Sequence, residues 1–220
     1  EIKYYLGMEN DFVFFNSLFD KNITINFDGY SCLNCGLNEE IFRQGHCKKC
    51  FFSLPSTAEW IIRPEMSKAH LGIEDRDLEY EKQVQIQPHI LYLAYTSGIK
   101  IGVTRKSQVP TRWIDQGAVK AVEIIEVPNR YLAGISEFKL KEKYNDKTNW
   151  REMLKTSTTD IDLEKEKSEC FSYLPNEVLE YISKNSVVTE IKYPLIKSPD
   201  NPKSLNIIKS KKYTGKIIGI

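Results

Sequence analysis

Two cysteine pairs, Cys32-Leu33-Asn34-Cys35 and Cys47-Lys48-Lys49-Cys50, carry the sharpest chemistry in this chain of 220 residues. Two residues between cysteines let one tight turn aim both thiolates at a single ion, and two such turns complete a tetrahedral four-sulfur shell. The spacing therefore predicts a structural Zn2+ held by Cys32, Cys35, Cys47 and Cys50, with no open position for catalysis. Two disulfides are the competing explanation. They would leave Cys170 unpaired, and the lysine-rich composition fits a cytoplasmic setting in which thiols stay reduced. His46 adjoins the motif, but sulfur already fills the shell.

The rest of the composition narrows the class. Hydrophobic residues make up 41% of the chain, enough for a globular core and too many for a disordered segment. No apolar leader or membrane-length run is present, which points away from a membrane partner. The formal net charge of +1 gives no global case for nucleic acid. Local charge does. From His89 to Lys120 the basic residues are Lys100, Arg105, Lys106, Arg112 and Lys120, against Asp115 alone, whereas Asp160 to Glu169 is acidic. Segregation of this kind suits a middle region that meets an anionic partner.

These residues must be positioned by an α/β (α+β) fold. Tyr4 to Leu6, Phe12 to Phe15 and Ile23 to Phe27 read as short strands of an N-terminal β segment, 1–28, and Asp28-Gly29 turns into a zinc ribbon, 29–54. A connecting segment, 55–88, contains a short helix opened by Arg63-Pro64-Glu65 and a charged stretch, Asp75 to Lys82, with little apolar periodicity. The clearest pattern is a β-hairpin: His89 to Tyr95, a Ser97-Gly98 turn, then Ile99 to Thr104. Pro110 opens a helix over Thr111 to Gln116 that Gly117 ends. A strand over Ala121 to Val127, a helix over Tyr131 to Tyr144 and another from Asn149 complete a β-β-α-β-α-α module, 89–156. In the remainder, 157–220, Leu174 to Ser183 reads as helix, and Val187 to Ile196 and Leu205 to Ile220 as strands. The last strands are expected to pair with those at the N-terminus, because neither set can bury a face alone. The missing initial Met and the strand-like end at Ile220 suggest an excerpt of a longer protein, or a processed start.

The module resembles the GIY-YIG nuclease superfamily. Ile90-Leu91-Tyr92 stands where Gly-Ile-Tyr is typical, and Lys100-Ile101-Gly102 where Tyr-Ile-Gly is typical. Arg112, Glu137 and Asn149 fall where the superfamily's arginine, metal-binding glutamate and late asparagine would lie. The chain as a whole is similar to a bacterial family known only as domain of unknown function 2797, through Gly102 to Arg105, Pro110 to Ala118 and Asp146 to Arg151. That resemblance implies that Trp60 and Ser67 replace further cysteines found in relatives, leaving His70 and His89 without a metal role.

The superfamily resemblance implies phosphodiester hydrolysis. Glu137 would hold one Mg2+ or Mn2+, whose other positions are filled by water and phosphate. Ala133 and Gly134 would let that carboxylate lie close to the sheet. Arg112 would grip a phosphate bidentately, Tyr92 would orient or deprotonate the water, and Lys100 would supply a point charge. Lys100, Arg105, Lys106 and Arg112 would contact the backbone of DNA or RNA. Each residue also has a plainer role. Tyr92 could be a strand aromatic, Arg112 could pair with Asp115, and Glu137 with Lys141. Asn149 fits a helix cap with Glu152 as its N3 partner. Trp113 and Trp150 fit the core. Two readings follow: a zinc-ribbon nuclease, or a nucleic-acid-binding module that keeps the fold without the chemistry.

Overall fold

The computed structural model of the chain describes residues 2–8, 10–144, 147–155, 160–185 and 187–220. In chain order, the first strands are β1 (Tyr5–Gly7), β2 (Phe12–Phe14), β3 (Asn22–Asn26), β4 (Ile41–Arg43) and β5 (His46–Cys47), followed by helices α1 (Lys48–Ser53) and α2 (Leu78–Gln85). The middle holds β6 (His89–Tyr95), β7 (Ile99–Arg105), α3 (Thr111–Asp115), β8 (Lys120–Val127), α4 (Arg130–Leu140) and α5 (Trp150–Met153). After these come α6 (Leu163–Cys170), β9 (Thr189–Glu190), α7 (Ile207–Ser210) and β10 (Lys212–Lys216).

The largest sheet runs β7-β6-β8-β9, with β6 pairing antiparallel to both β7 and β8. His89 to Tyr95 is a continuous apolar run rather than an alternating one, the mark of a strand covered on both faces. Its residues divide by pleat accordingly. Leu91 and Leu93 point into one core with Ile124, Ala133, Leu140, Leu163 and Val178, where α4 and α6 lie. Ile90, Tyr92 and Ala94 point into another with Trp113, Ala118 and Ile191, where α3 lies. Among the described residues β7 has no strand beyond it and forms the sheet's edge.

Local chemistry fixes the helix ends. Asn129 caps α4 through Leu132 N–H, Asp162 caps α6, and Asn149 accepts from the Arg151 and Glu152 N–H groups at the start of α5. Gly117 takes a φ of +71° just past α3, a conformation that costs glycine little.

The two ends of the chain meet, but only in part as expected. β3 pairs antiparallel with β10, Ile25 opposite Tyr213, whereas β1 pairs with β2. Three other expectations differ. Leu174 to Ser183 holds only a 3-10 turn at Asn176–Tyr181, and the strand expected over Val187 to Ile196 shrinks to Thr189–Glu190. The start of the last expected strand is a helical turn, α7, capped by Asn206. The charged stretch from Asp75 forms α2, nucleated by the Asp77 side chain on Tyr80 N–H rather than by any apolar stripe. The connecting segment is not a loose tether. The Glu81 carboxylate, 1% exposed, accepts the N–H groups of Asp75, Arg76 and Asp77 at 3.0, 2.7 and 3.1 Å. Arg76 bonds in turn to the Phe51 and Leu54 carbonyls, tying the ribbon to this segment.

His89 opens β6 fully buried, its Nδ1 2.7 Å from the Gln87 carbonyl. Burial holds it neutral, lowering its pKa from 6.5 to about 4. A depressed histidine pKa means that the unfolded chain takes up the proton first. The stability that neutral His89 contributes is therefore complete above pH 6.5 and lost as pH falls toward 4, on the order of 3 kcal/mol in all. Urea midpoints across this range should fall more steeply for the native chain than for His89→Phe. Parallel profiles would refute the assignment.

Candidate functional site

The ribbon is built around its four sulfurs. β4 and β5 are joined by a two-residue turn in which Gln44 and Gly45 both adopt positive φ, +51° and +78°, as a type I′ hairpin requires. This turn returns the chain so that Cys47 and Cys50, at the start of α1, face Cys32 and Cys35. The four Sγ atoms lie within 4.8 Å of one another, Cys35 and Cys47 at 4.0 Å. A Zn2+ with tetrahedral bonds near 2.3 Å needs sulfurs about 3.8 Å apart, so the set fits. Cys47 N–H and the Asn34 amide each approach a sulfur, Cys32 and Cys50, at 3.3 Å, as donors that stabilise thiolate. Backbone N–H groups, that of Cys35 foremost, lower the Cys32 pKa to about 5. When bound, zinc would cross-link the two turns. His46 lies beside this shell and not in it.

A second site lies along the free edge of β7, a cleft of about 450 Å³. Lys100 and Gly102 of β7 line its floor, Arg112 and Gln116 come from α3, and Arg130 and Glu137 from α4. Ile61, Pro64 and the ribbon's Gln44 close the outer side. Tyr92, on the central strand, is fully buried just beneath this lining. It pairs across the ladder with Gly102, where an added Cβ would sit 2.6 Å from the tyrosine Oη. Only glycine leaves room for the ring to cross β7, and its O–H then donates to Gln116 Oε1 at 2.6 Å. Burial raises the Tyr92 pKa to about 12, with Arg112 opposing. At neutral pH its hydroxyl keeps its proton.

Glu137, 8% exposed, has its pKa raised by burial, while Lys141 and Arg130 pull it down. Its Oε2 lies 3.2 Å from Lys141 Nζ. Arg130 is fixed by its own fork, Nε to the Trp60 carbonyl at 3.2 Å and Nη2 to that of Ile61 at 2.7 Å. Its pKa is lowered to about 10, first by burial and then, among charges, by Arg105 and Arg112. Gly134 serves a purpose different from the one expected. A Cβ there would lie 2.3 Å from the backbone of Pro64 and Glu65, so the glycine admits the connecting segment against α4.

The cleft thus gathers Lys100, Arg112 and Glu137, with Tyr92 beneath. Arg105 lines an adjoining cavity. Lys106 faces elsewhere, 2.7 Å from Glu126. Asn149 caps α5 and does not line the cleft, although its neighbour Thr148 lies 3.4 Å from Lys100 Nζ. Among the described residues no ion pair joins Arg112 to Asp115, whereas the Glu137–Lys141 pair is made. Trp113 is buried, and Trp150 is half-buried beneath Arg151. His70 stacks on Tyr131, and Trp60 and Ser67 are buried. Asp146, within the Asp146 to Arg151 stretch, lies outside the described residues. Sequence reasoning gave no role to Gln44, Gln116 or Arg130; Gln116 lies within the Pro110 to Ala118 stretch, and Gln44 and Arg130 belong to no motif.

The fold and sites define a mixed α/β protein with a four-cysteine group able to bind zinc. Among the described residues, no helix is long and apolar enough to cross a membrane. The chain belongs to the family described as a protein of unknown function (DUF2797), whose model matches residues 20–220. No curated protein and no solved structure matches it.

Metal analysis of the purified chain should return one zinc per molecule. Structural zinc sites contribute on the order of 10 kcal/mol to small metal domains, so Cys50→Ser should unfold residues 29–54. Amide exchange should then show the ribbon open and β6 to β8 still protected. A preparation free of zinc with the same exchange pattern would overturn the assignment.

Proposed function

We propose that this protein acts on nucleic acid as a divalent-metal-dependent phosphodiesterase, with the β7-edge cleft as its site. The observation that carries the reading is convergence. Lys100, Arg112 and Glu137 come from three elements and share one cleft with the Tyr92–Gln116 hydrogen bond. Cationic groups on two sides and one carboxylate on a third suit a phosphodiester and its metal. The resemblance to the GIY-YIG superfamily points the same way.

Arg112, exposed at the cleft mouth, would take two phosphoryl oxygens through its fork, and Lys100 would add a charge at the floor. Tyr92, neutral and pinned by Gln116, would hold a water or a phosphate oxygen in place. Glu137 would be the protein ligand of Mg2+ or Mn2+, which when bound neutralises phosphoryl charge and activates water. Lys141 presently holds that carboxylate. A divalent cation bound there would displace the Lys141 ammonium from the carboxylate. The ribbon would fix the outer wall, and DNA and RNA are equal candidates as substrate.

The same Glu137–Lys141 pair and the fully buried Tyr92 favour a second reading, a module that binds nucleic acid without cutting it. One variant separates the two. Glu137→Gln should abolish Mn2+-dependent cleavage of labelled DNA or RNA while binding persists or tightens. Wild type that binds but never cleaves with any divalent ion selects the binding module. Absence of both binding and cleavage at low salt rejects both.

A further inference from the structure

Beside the cleft lies a cavity of about 290 Å³, bounded by Arg105, Arg112, Arg130, Gln108 and Thr111, with Asp115 at its rim. The two spaces share Ile61, Val103, Arg112 and Arg130, so they adjoin. Three guanidiniums meet one carboxylate here. Other nearby carboxylates are already engaged: Glu137 with Lys141 at 3.2 Å, and Glu65 with Arg63 at 3.4 Å. Among the described residues, Arg105, Arg112 and Arg130 make no ion pair of their own. Arg105 is held by Gln108, its Nε donating to Oε1 at 3.2 Å, and Arg130 by two carbonyls, which orient both guanidiniums without neutralising them.

Like charges crowded in a partly dry space repel strongly, and an anion between them removes the repulsion while accepting their N–H donors. We infer that this cavity is a second phosphate subsite, which takes the phosphate next to the reacting one on the same strand. The assignment to a strand rests on the nucleic-acid reading above; the chemistry recognised is two neighbouring phosphates. Arg112 lies at the junction and would touch both. Arg105 and Arg130 would serve only the second. Burial is the main cause that lowers the Arg130 pKa; Arg105 and Arg112 add to it, and Glu137 opposes it.

The test uses the full zinc-loaded chain and two probes, a single-stranded thymidine oligonucleotide and inorganic pyrophosphate. Arg130→Met risks the packing of Trp60 and Ile61, so Arg105→Met carries the experiment, with Arg112→Met as the cleft control. Arg105→Met should weaken oligonucleotide binding by about tenfold and lower the slope of log affinity against log salt by about one. If Arg105→Met keeps wild-type affinity and slope while Arg112→Met loses affinity, the subsite is overturned and the cleft reading stands. If pyrophosphate binds, is weakened by Arg105→Met, and no oligonucleotide binds, the subsite stands for a small diphosphate and the nucleic-acid reading falls. If neither probe binds, both are overturned.

Discussion

Burial of β6 on both faces is the constraint from which the rest of this molecule follows. A strand with no exposed residue among Ile90, Leu91, Tyr92, Leu93 and Ala94 needs a layer of side chains above and below it. α4 and α6 supply one layer and α3 the other. With strands on both sides of β6, β7 is left as an edge, and the helices that cover the two faces overhang it. The cleft is the space between those overhangs. An open strand edge invites another chain to pair with it, and here the Ile61 to Pro64 segment stands over it instead.

Tyr92 links core and cleft. Its backbone belongs to the most buried strand, yet its hydroxyl reaches the edge, because Gly102 offers no side chain to stop the ring. This explains the otherwise odd glycine in the middle of a strand, where it weakens the ladder and removes a packing contact. The cost in strand stability is offset by a polar group placed where no edge-strand side chain could put it. The same logic applies to Gly134, whose missing side chain lets the connecting segment lie against α4. Once there, the Trp60 and Ile61 carbonyls hold the Arg130 guanidinium.

Stability is organised differently at the two ends of the chain. The β6 core buries enough apolar surface to hold itself. The ribbon does not: its buried cluster consists of the cysteines Cys32, Cys47 and Cys50, with Ile41 and Leu54 partly covered. Metal binding is what such a unit uses in place of a core. Because Gln44 sits at the ribbon's hairpin tip and lines the cleft, order supplied by a bound zinc would extend to the wall of the second site.

Much of this was legible in the sequence wherever the determinant is local. Cys-x-x-Cys spacing, the Ser97-Gly98 hairpin, the Asn149 cap and the apolar run of β6 are each set within a few residues, by turn geometry or by pleat period. Arg112 and Glu137 could be named in advance because they sit within a pattern. Tertiary structure decided what depends on distant segments meeting. It separated Asn149 and Lys106 from the cleft, engaged Glu137 with Lys141, gave Gly134 a packing partner, and brought Arg130, Gln116 and Gln44 into the site. It also paired β3 with β10 while leaving β1 to β2, a choice among short strands that no local preference fixes. A chain writes its turns and caps in neighbouring residues. Which charges share a cavity is set only when a sheet edge, two helices and a folded connector close around the same space.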